Sequence, residues 1–410
     1  MIDRRAMIAM GASVAVTGVG QAAAAVPLTP SWSEVEAMYP RGALVNLNNG
    51  GLSPVSIRTA AAAEARRQHV NLAPALNIAD FGEIRLEVKK RLAAIINCRV
   101  DEIALNRNGS EGLCTAIYGM PLQQRDEVVV SRWDYASMLR AWGERARRDR
   151  ITLRFAEFEL PSTAEAISAA YARVIGPMTR AVHVTHMPES NGELFPAERI
   201  CAAARAVGAI TLVDAAHTIG QVVVDCEALG CDMLSTSLHK WLCGPVGTGM
   251  LYIRRGFQGR LRPLIASYLE PEVPIDRFDQ ALGTYDMATE AALLEATELF
   301  LAIGSDRYRS RLYERKLRLV ELVRDIPGVK LLSPVSQARS GAIVTIAFES
   351  LSGRAIRDEM LTSSQVLTRS QNFRSINGVR FSPHIYTRDE EIDRAAQAFR
   401  RAVLQVSNKR

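Results

Sequence analysis

Two short stretches decide how this chain reads: Leu212-Val213-Asp214-Ala215-Ala216-His217, and Ser235-Thr236-Ser237-Leu238-His239-Lys240-Trp241 with Gly244-Pro245-Val246-Gly247-Thr248-Gly249 after it. The first sets a carboxylate at the end of an apolar strand, where an unpaired charge is costly. The second sets a lysine among hydroxyls, an imidazole and an indole, which is not the setting of a solvated lysine. Partial burial lowers an amine's pKa and frees it to attack an aldehyde. Taken alone, Asp214 reads equally well as the cap of the next turn.

Working outward, residues 84 to 260 alternate helical periodicity with short β-rich runs. The predicted order is helix 83–96, strand 102–106, helix 110–120, strand 127–131, helix 136–148, strand 151–155, helix 164–174, strand 180–185, helix 196–207 and strand 209–213. Strands at 232–235 and 249–253 complete the series. Strands separated by helices of ten or more residues imply βαβ units and a parallel sheet covered on both faces. Beyond Gly283 the pattern changes to long helices, 289–303 and 306–324. An α+β tail follows, with strands 342–348, 366–370 and 379–382 and helices 354–363 and 389–406. The division predicted is 26–283 for a large unit and 284–410 for a connecting helix and a smaller one.

In an open α/β sheet, ligands bind beyond the carboxyl ends of the strands. Asn108-Gly109-Ser110-Glu111-Gly112 lies at one such end, where free N–H groups at a helix start suit an anion. A loop of this kind equally well just joins a strand to a helix. A protonated pyridine nitrogen would satisfy Asp214 and turn its ring into an electron sink, with Ser237 and His239 placed to hold a phosphate. That combination is pyridoxal 5′-phosphate.

The spacing of Asp214 from His239-Lys240-Trp241-Leu242-Cys243-Gly244-Pro245, with Gly247 and Gly249, resembles the cofactor signature of the class V aminotransferases, PLP enzymes of fold type I. The Lys240 run and Leu47-Asn48-Asn49-Gly50-Gly51 resemble that family's isopenicillin N epimerase-like branch. The likeness spans about residues 40 to 405 and includes Gly283-Thr284-Tyr285-Asp286 and the terminal Arg380-Phe381-Ser382-Pro383-His384-Ile385-Tyr386. It implies a large unit with a mostly parallel seven-stranded sheet, a small α+β unit, and a homodimer acting on an amino-acid-like small molecule. Gly109, Ser110, Glu111, Ser237 and His239 are implied at the phosphate, with Thr284 reaching the phosphate of a second subunit. Lys240 is implied as the Schiff-base lysine and Asp214 at the ring nitrogen. His217 is implied near the ring hydroxyl, Tyr135 stacked on the ring, and Arg380, with Asn49 and Gly50, at the substrate carboxylate.

Two departures stand out. Relatives often carry an asparagine near the ring hydroxyl where this chain aligns Glu189, with Asn191 next in register. Cysteine desulfurases of the group carry a catalytic cysteine after the carboxylate-binding arginine, and residues 382–388 contain none. Transamination, epimerisation and β-elimination share one carbanion at Cα and differ in where the next proton goes. A single evident base favours transamination, while the branch resemblance favours epimerisation.

Other classes find no support. No Gly-x-Gly-x-x-Gly follows a strand, as a nicotinamide cofactor requires, and the six cysteines lack metal-ligand spacing. A net charge of +6 without interleaved aromatic and basic residues argues against nucleic acid. No segment after residue 25 is apolar for the length of a bilayer. Residues 1–25 are a separate case: Asp3-Arg4-Arg5, an apolar stretch and a small-residue end resemble a twin-arginine export signal. The mature protein is thus expected in the periplasm.

Overall fold

The computed structural model describes residues 29–266 and 272–408; the expected export signal lies outside them. After a short helix at Trp32–Ala37, the chain forms the longer helices α1 (Ile57–Leu72) and α2 (Gly82–Ile95). Then β1 (Ile103–Asn106), α3 (Gly109–Gly119), β2 (Glu127–Ser131), α4 (Ala136–Asp149), β3 (Thr152–Ala156) and α5 (Ala164–Val174) alternate. They continue with β4 (Thr179–Thr185), α6 (Ala197–Ala206), β5 (Ile210–Asp214), β6 (Met233–Ser237) and β7 (Gly249–Ile253).

These strands form one seven-stranded sheet in the order β1-β7-β6-β5-β4-β2-β3. Only β7 runs antiparallel to its neighbours. The other pairings are parallel, so the carboxyl ends of β1, β2, β4, β5 and β6 share one edge. Strands buried on both faces read as continuous apolar runs; β5 is buried throughout, and its Leu212 and Val213 feed cores on opposite faces. Gly249 opens β7 because a Cβ there would sit 2.5 Å from the backbone of Asn108, and the close approach brings the lysine loop to the start of α3.

Helices α7 (Leu293–Ile303) and α8 (Ser305–Val323) lead to a second, antiparallel sheet. The predicted helix 289–303 is in fact two, since Met287–Ala291 ends at Ala292. The second sheet orders β10 (Arg369–Phe373), β11 (Ile376–Phe381), β9 (Val344–Ala347) and β8 (Lys330–Leu331). Helices α9 (Gly353–Ser364) and α10 (Asp389–Asn408) pack together on it. Along α10, Ile392, Ala395, Ala396, Phe399, Ala402 and Val403 recur at helical spacing and are buried.

The two sheets draw on separate stretches of chain, and a boundary near Gly283 remains our proposal. The N-terminal segment, however, joins the smaller unit: Val45 and Asn46 pair with Val366 and Leu367, Asn48 bridges to Ser382, and Val45 and Leu47 enter that unit's core. This brings Gly50 and Gly51 to the carboxyl edge of the large sheet. Among the described residues, no helix is long and apolar enough to cross a membrane and no cluster is suited to a metal. All six cysteines are thiols.

Candidate active site

A cleft of about 280 Å³ opens at the carboxyl edge of the large sheet, walled on one side by β10. Each strand end delivers its residue: Asn108 to Ser110 after β1, Trp133 to Ala136 after β2, Thr185 at the end of β4, Asp214 at the end of β5, and Ser237 to Lys240 after β6.

At one end lies the start of α3. Asn108 caps it, its Oδ1 accepting from Glu111 N at 2.9 Å. Gly109 N donates to Ser237 Oγ at 3.0 Å, and a Cβ on Gly109 would stand 3.0–3.2 Å from Thr236 and Ser237. His239 lines the same end with its Nδ1 buried and unpartnered; burial, then Lys240, lowers its pKa to about 4, so it is neutral. A helix start, two hydroxyls and an unused imidazole nitrogen together suit a phosphate. Glu111, expected there, turns away to Arg107, accepting from its backbone N at 2.7 Å and its Nη2 at 3.0 Å, and does not line the cleft.

Asp214 is buried, and its Oδ1 accepts from Ala216 N at 2.9 Å. Burial raises its pKa, with His183 opposing. A cationic N–H donor in the cleft relieves that cost, which fits the protonated ring nitrogen of pyridoxal phosphate.

Lys240 Nζ lies 3.2 Å from His217 Nε2. Behind His217, Trp241 Nε1 donates to Nδ1 at 3.2 Å. That donor assigns the neutral tautomer with its proton on Nε2, and burial, then Lys240, holds the His217 pKa well below 6.5. The imidazole can therefore donate to Lys240 only when the amine is a free base. Burial, opposed first by Asp214, brings the Lys240 pKa down to about 8. Trp241 is itself fixed, stacked on His384 with ring centres 5.5 Å apart.

The other expected residues fall into two groups. Tyr135 opens α4, lines the cleft and is 40% exposed. Gly50 lines it too. Asn49 lies outside the lining, donating to Ser382 O at 2.8 Å and accepting from Tyr386 Oη, and so ties the N-terminal segment to the smaller unit. Thr284 is exposed and outside this cleft; a role in a second subunit's cleft stays a proposal. Arg380 is fully buried and off the cleft wall. Its Nη1 reaches Glu189 Oε2 at 3.0 Å and its Nη2 donates to Asn48 Oδ1 at 3.1 Å.

Sequence reasoning passed over Arg369, Gln371 and Phe373, which alternate along β10 and all face the cleft. It also passed over Asp134, buried and accepting from Ser131 N at 2.7 Å and Thr185 N at 3.1 Å, which braces β2 against β4 beneath Tyr135. The carboxylate inside Trp133-Asp134-Tyr135 was the available signal.

The family model for class V aminotransferases matches residues 75–395. The chain is 29% identical over 396 residues to the isopenicillin N epimerase of Streptomyces clavuligerus, covering 90% of this chain and 97% of that protein. It is 27% identical over 330 residues to a probable cysteine desulfurase of Pyrococcus abyssi, covering 75% and 80%. Among solved structures, the cystine C–S lyase C-DES with its product cysteine persulfide superposes at a TM-score of 0.80 with 23% identity, over 87% of this chain and 97% of that one. The cysteine desulfurase of Thermococcus onnurineus gives 0.79 and 22%, over 88% and 95%. At such identities the two structures speak for the fold alone.

Proposed function

The chain belongs to the class V aminotransferases and is a pyridoxal 5′-phosphate enzyme, and from that premise we propose that it moves the α-proton of an amino acid in a transamination. Pyridoxal phosphate supplies an aldehyde for the substrate amine and a protonated ring that spreads negative charge from Cα. Ser110, Ser237 and His239 would hold its phosphate, and Asp214 would pair with its ring nitrogen. Lys240, whose amine is buried and brought toward the free base, would hold the cofactor through its amine and, once released, would serve as the base that accepts and returns the substrate α-proton.

The observation that carries this reading is the 3.2 Å contact between Lys240 and His217. Of the titratable groups lining the cleft, His239 stands at the phosphate end, Glu189 is paired with arginines and Asp134 is tied to backbone. His217, the nearest imidazole, is no second base: its Nε2 carries the proton and faces Lys240, and its far nitrogen accepts from Trp241. That leaves Lys240 as the base at this point, and a single base suffices to shuttle a proton along one face.

Epimerisation is the second reading. It is favoured by exposed Tyr135 as an acid on another side of the cleft and by the likeness to the Streptomyces epimerase. β-Elimination needs only a leaving group at Cβ, and nothing lining the cleft selects for one. The purified, cofactor-loaded protein, given an amino donor and a keto acid in deuterated water, is expected to yield a new amino acid and a new keto acid. Deuterium entering Cα with inversion, and no keto product from any donor, selects the epimerase. We further propose export to the periplasm on the pattern of residues 3–25, and a homodimer on the family likeness.

A further inference from the structure

Two indoles in this chain donate to buried imidazoles. Trp241 Nε1 donates to His217 Nδ1 at 3.2 Å, and Trp142 Nε1 donates to His183 Nδ1 at 3.1 Å. In the first pair the far imidazole nitrogen meets Lys240 at 3.2 Å. In the second, the far nitrogen His183 Nε2 is buried and has no hydrogen-bond partner. His183 does not line the cleft, and the chemistry there leaves it without a role.

The state of this ring follows from its surroundings. Trp142 and His183 are fully buried, and their rings meet edge-on with centres 6.4 Å apart. An indole N–H can only donate, so Nδ1 accepts, and a neutral imidazole then carries its proton on Nε2. Burial lowers the His183 pKa to about 4, opposed by Asp214, so the ring is neutral at neutral pH. Strand register shows what lies near that N–H. Across β4 and β5, His183 pairs with Leu212 and Thr185 with Asp214. Alternate residues share a face of a sheet, so His183 and Asp214 lie on one face, with Asp214 a step nearer the carboxyl edge. Trp142 and Leu212 fill the core on that side. Of the groups around the buried Asp214 carboxyl, His183 is the foremost in favouring its charge, ahead of the Ala216 N–H and Lys240, while Asp134 opposes it.

We propose that His183 is a positioning residue for Asp214: Trp142 fixes its tautomer, and the Nε2–H dipole on the inner side of the carboxylate keeps Asp214 ionised and so able to hold a protonated ring nitrogen. A buried donor without an acceptor is otherwise costly, and a neighbouring carboxylate that must stay charged gives it a use. Each of the two ionisable groups of the cleft, Lys240 and Asp214, then has its own indole-locked imidazole. The assignment rests on the pairing of Asp214 with the ring nitrogen and on no particular reaction.

Nitrogen NMR tests this without turnover. In protein labelled with nitrogen-15 at histidine, His183 is expected to be neutral with its proton on Nε2, and Trp142→Phe, which keeps the imidazole, should let it take up both tautomers. In protein loaded with pyridoxal 5′-phosphate labelled at the ring nitrogen, the wild-type signal is expected to be that of a pyridinium. His183→Phe, which fills the slot with a ring but supplies no donor, should move that signal toward neutral pyridine, in the direction of Asp214→Asn and by less. His183→Gln, which restores an N–H, should recover part of the change. A wild-type His183 protonated on Nδ1 overturns the proposal, as does a wild-type ring signal in His183→Phe when Asp214→Asn shifts it. A signal that moves in neither variant refutes the pairing of Asp214 with the ring nitrogen, and the role of His183 with it.

Discussion

The lysine offers the sharpest quantitative test. With a pKa of about 8 in place of the usual 10.5, some 10% of Lys240 is free base at pH 7, against ~0.03% for an exposed lysine, a gain of about 300-fold. Burial is the main cause; Asp214 and Glu189 oppose it, and Arg380 and Arg369 reinforce it. The sign follows: burial disfavours the charged amine, so nucleophilic capacity is half developed at about pH 8, nearly complete about one unit above it, and falls toward tenfold per pH unit below it. The assay is the rate at which apoprotein condenses with pyridoxal 5′-phosphate between pH 7 and 10, followed by stopped-flow absorbance with the Lys240→Ala background subtracted. A midpoint near pH 8 and a plateau by about pH 9 are expected. Asp214→Asn, which removes the chief opposing charge, should move the midpoint down, and Arg369→Gln should move it up. A rate still climbing tenfold per unit to pH 10 would refute the argument, because the amine would then behave as though in water.

Borohydride reduction of the loaded protein and peptide mapping should place the pyridoxyl group on Lys240, and a label on another lysine excludes the assignment. Asp214→Asn should keep some cofactor but lose about a hundredfold or more in turnover, the usual cost (~3 kcal/mol) of one charge-stabilising contact to a developing carbanion. Wild-type rates in that variant would remove Asp214 from the electron-sink role. For export, replacing Arg4 and Arg5 together by lysine should retain active, uncleaved protein in the cytoplasm. An undiminished periplasmic yield would instead indicate the general secretory route.

What could be read from the chain alone follows from what is local. Residues 127–131, 164–174 and 249–253 were predicted at the bounds observed, because buried strands and amphipathic helices carry their burial in their own periodicity. The Asp214 and Lys240 stretches were legible because each places an ionisable group next to residues that explain it. Helix α1 was not anticipated. Its run Ile57–Leu72 has little apolar periodicity and buries only Thr59. It is held instead by Arg58 to Glu298 at 2.9 Å and Arg66 to Glu295 at 2.7 Å, partners more than two hundred residues away.

Glu189 shows the limit of reading by position. The family likeness led us to expect it at a ring contact, where its charge looks like an anomaly. The reason for a carboxylate lies 180 residues on, in Arg369, and it becomes visible only once strand pairing sets Arg369 opposite Arg380. Register is a property of two strands, and a shift of one residue in β10 would send Arg369 to the other face of the sheet. The Arg369 side chain would then leave the cleft, Arg380 would no longer face a second cation, and an asparagine at 189 would serve as well. The glutamate and the exposed arginine therefore belong together, and exchanging Glu189 for Asn should be tolerated better once Arg369 has been replaced by Gln. Thermal melts of the two single variants and the double variant test that coupling; strictly additive losses would show that the two side chains are not partners and that the carboxylate answers to Arg380 alone.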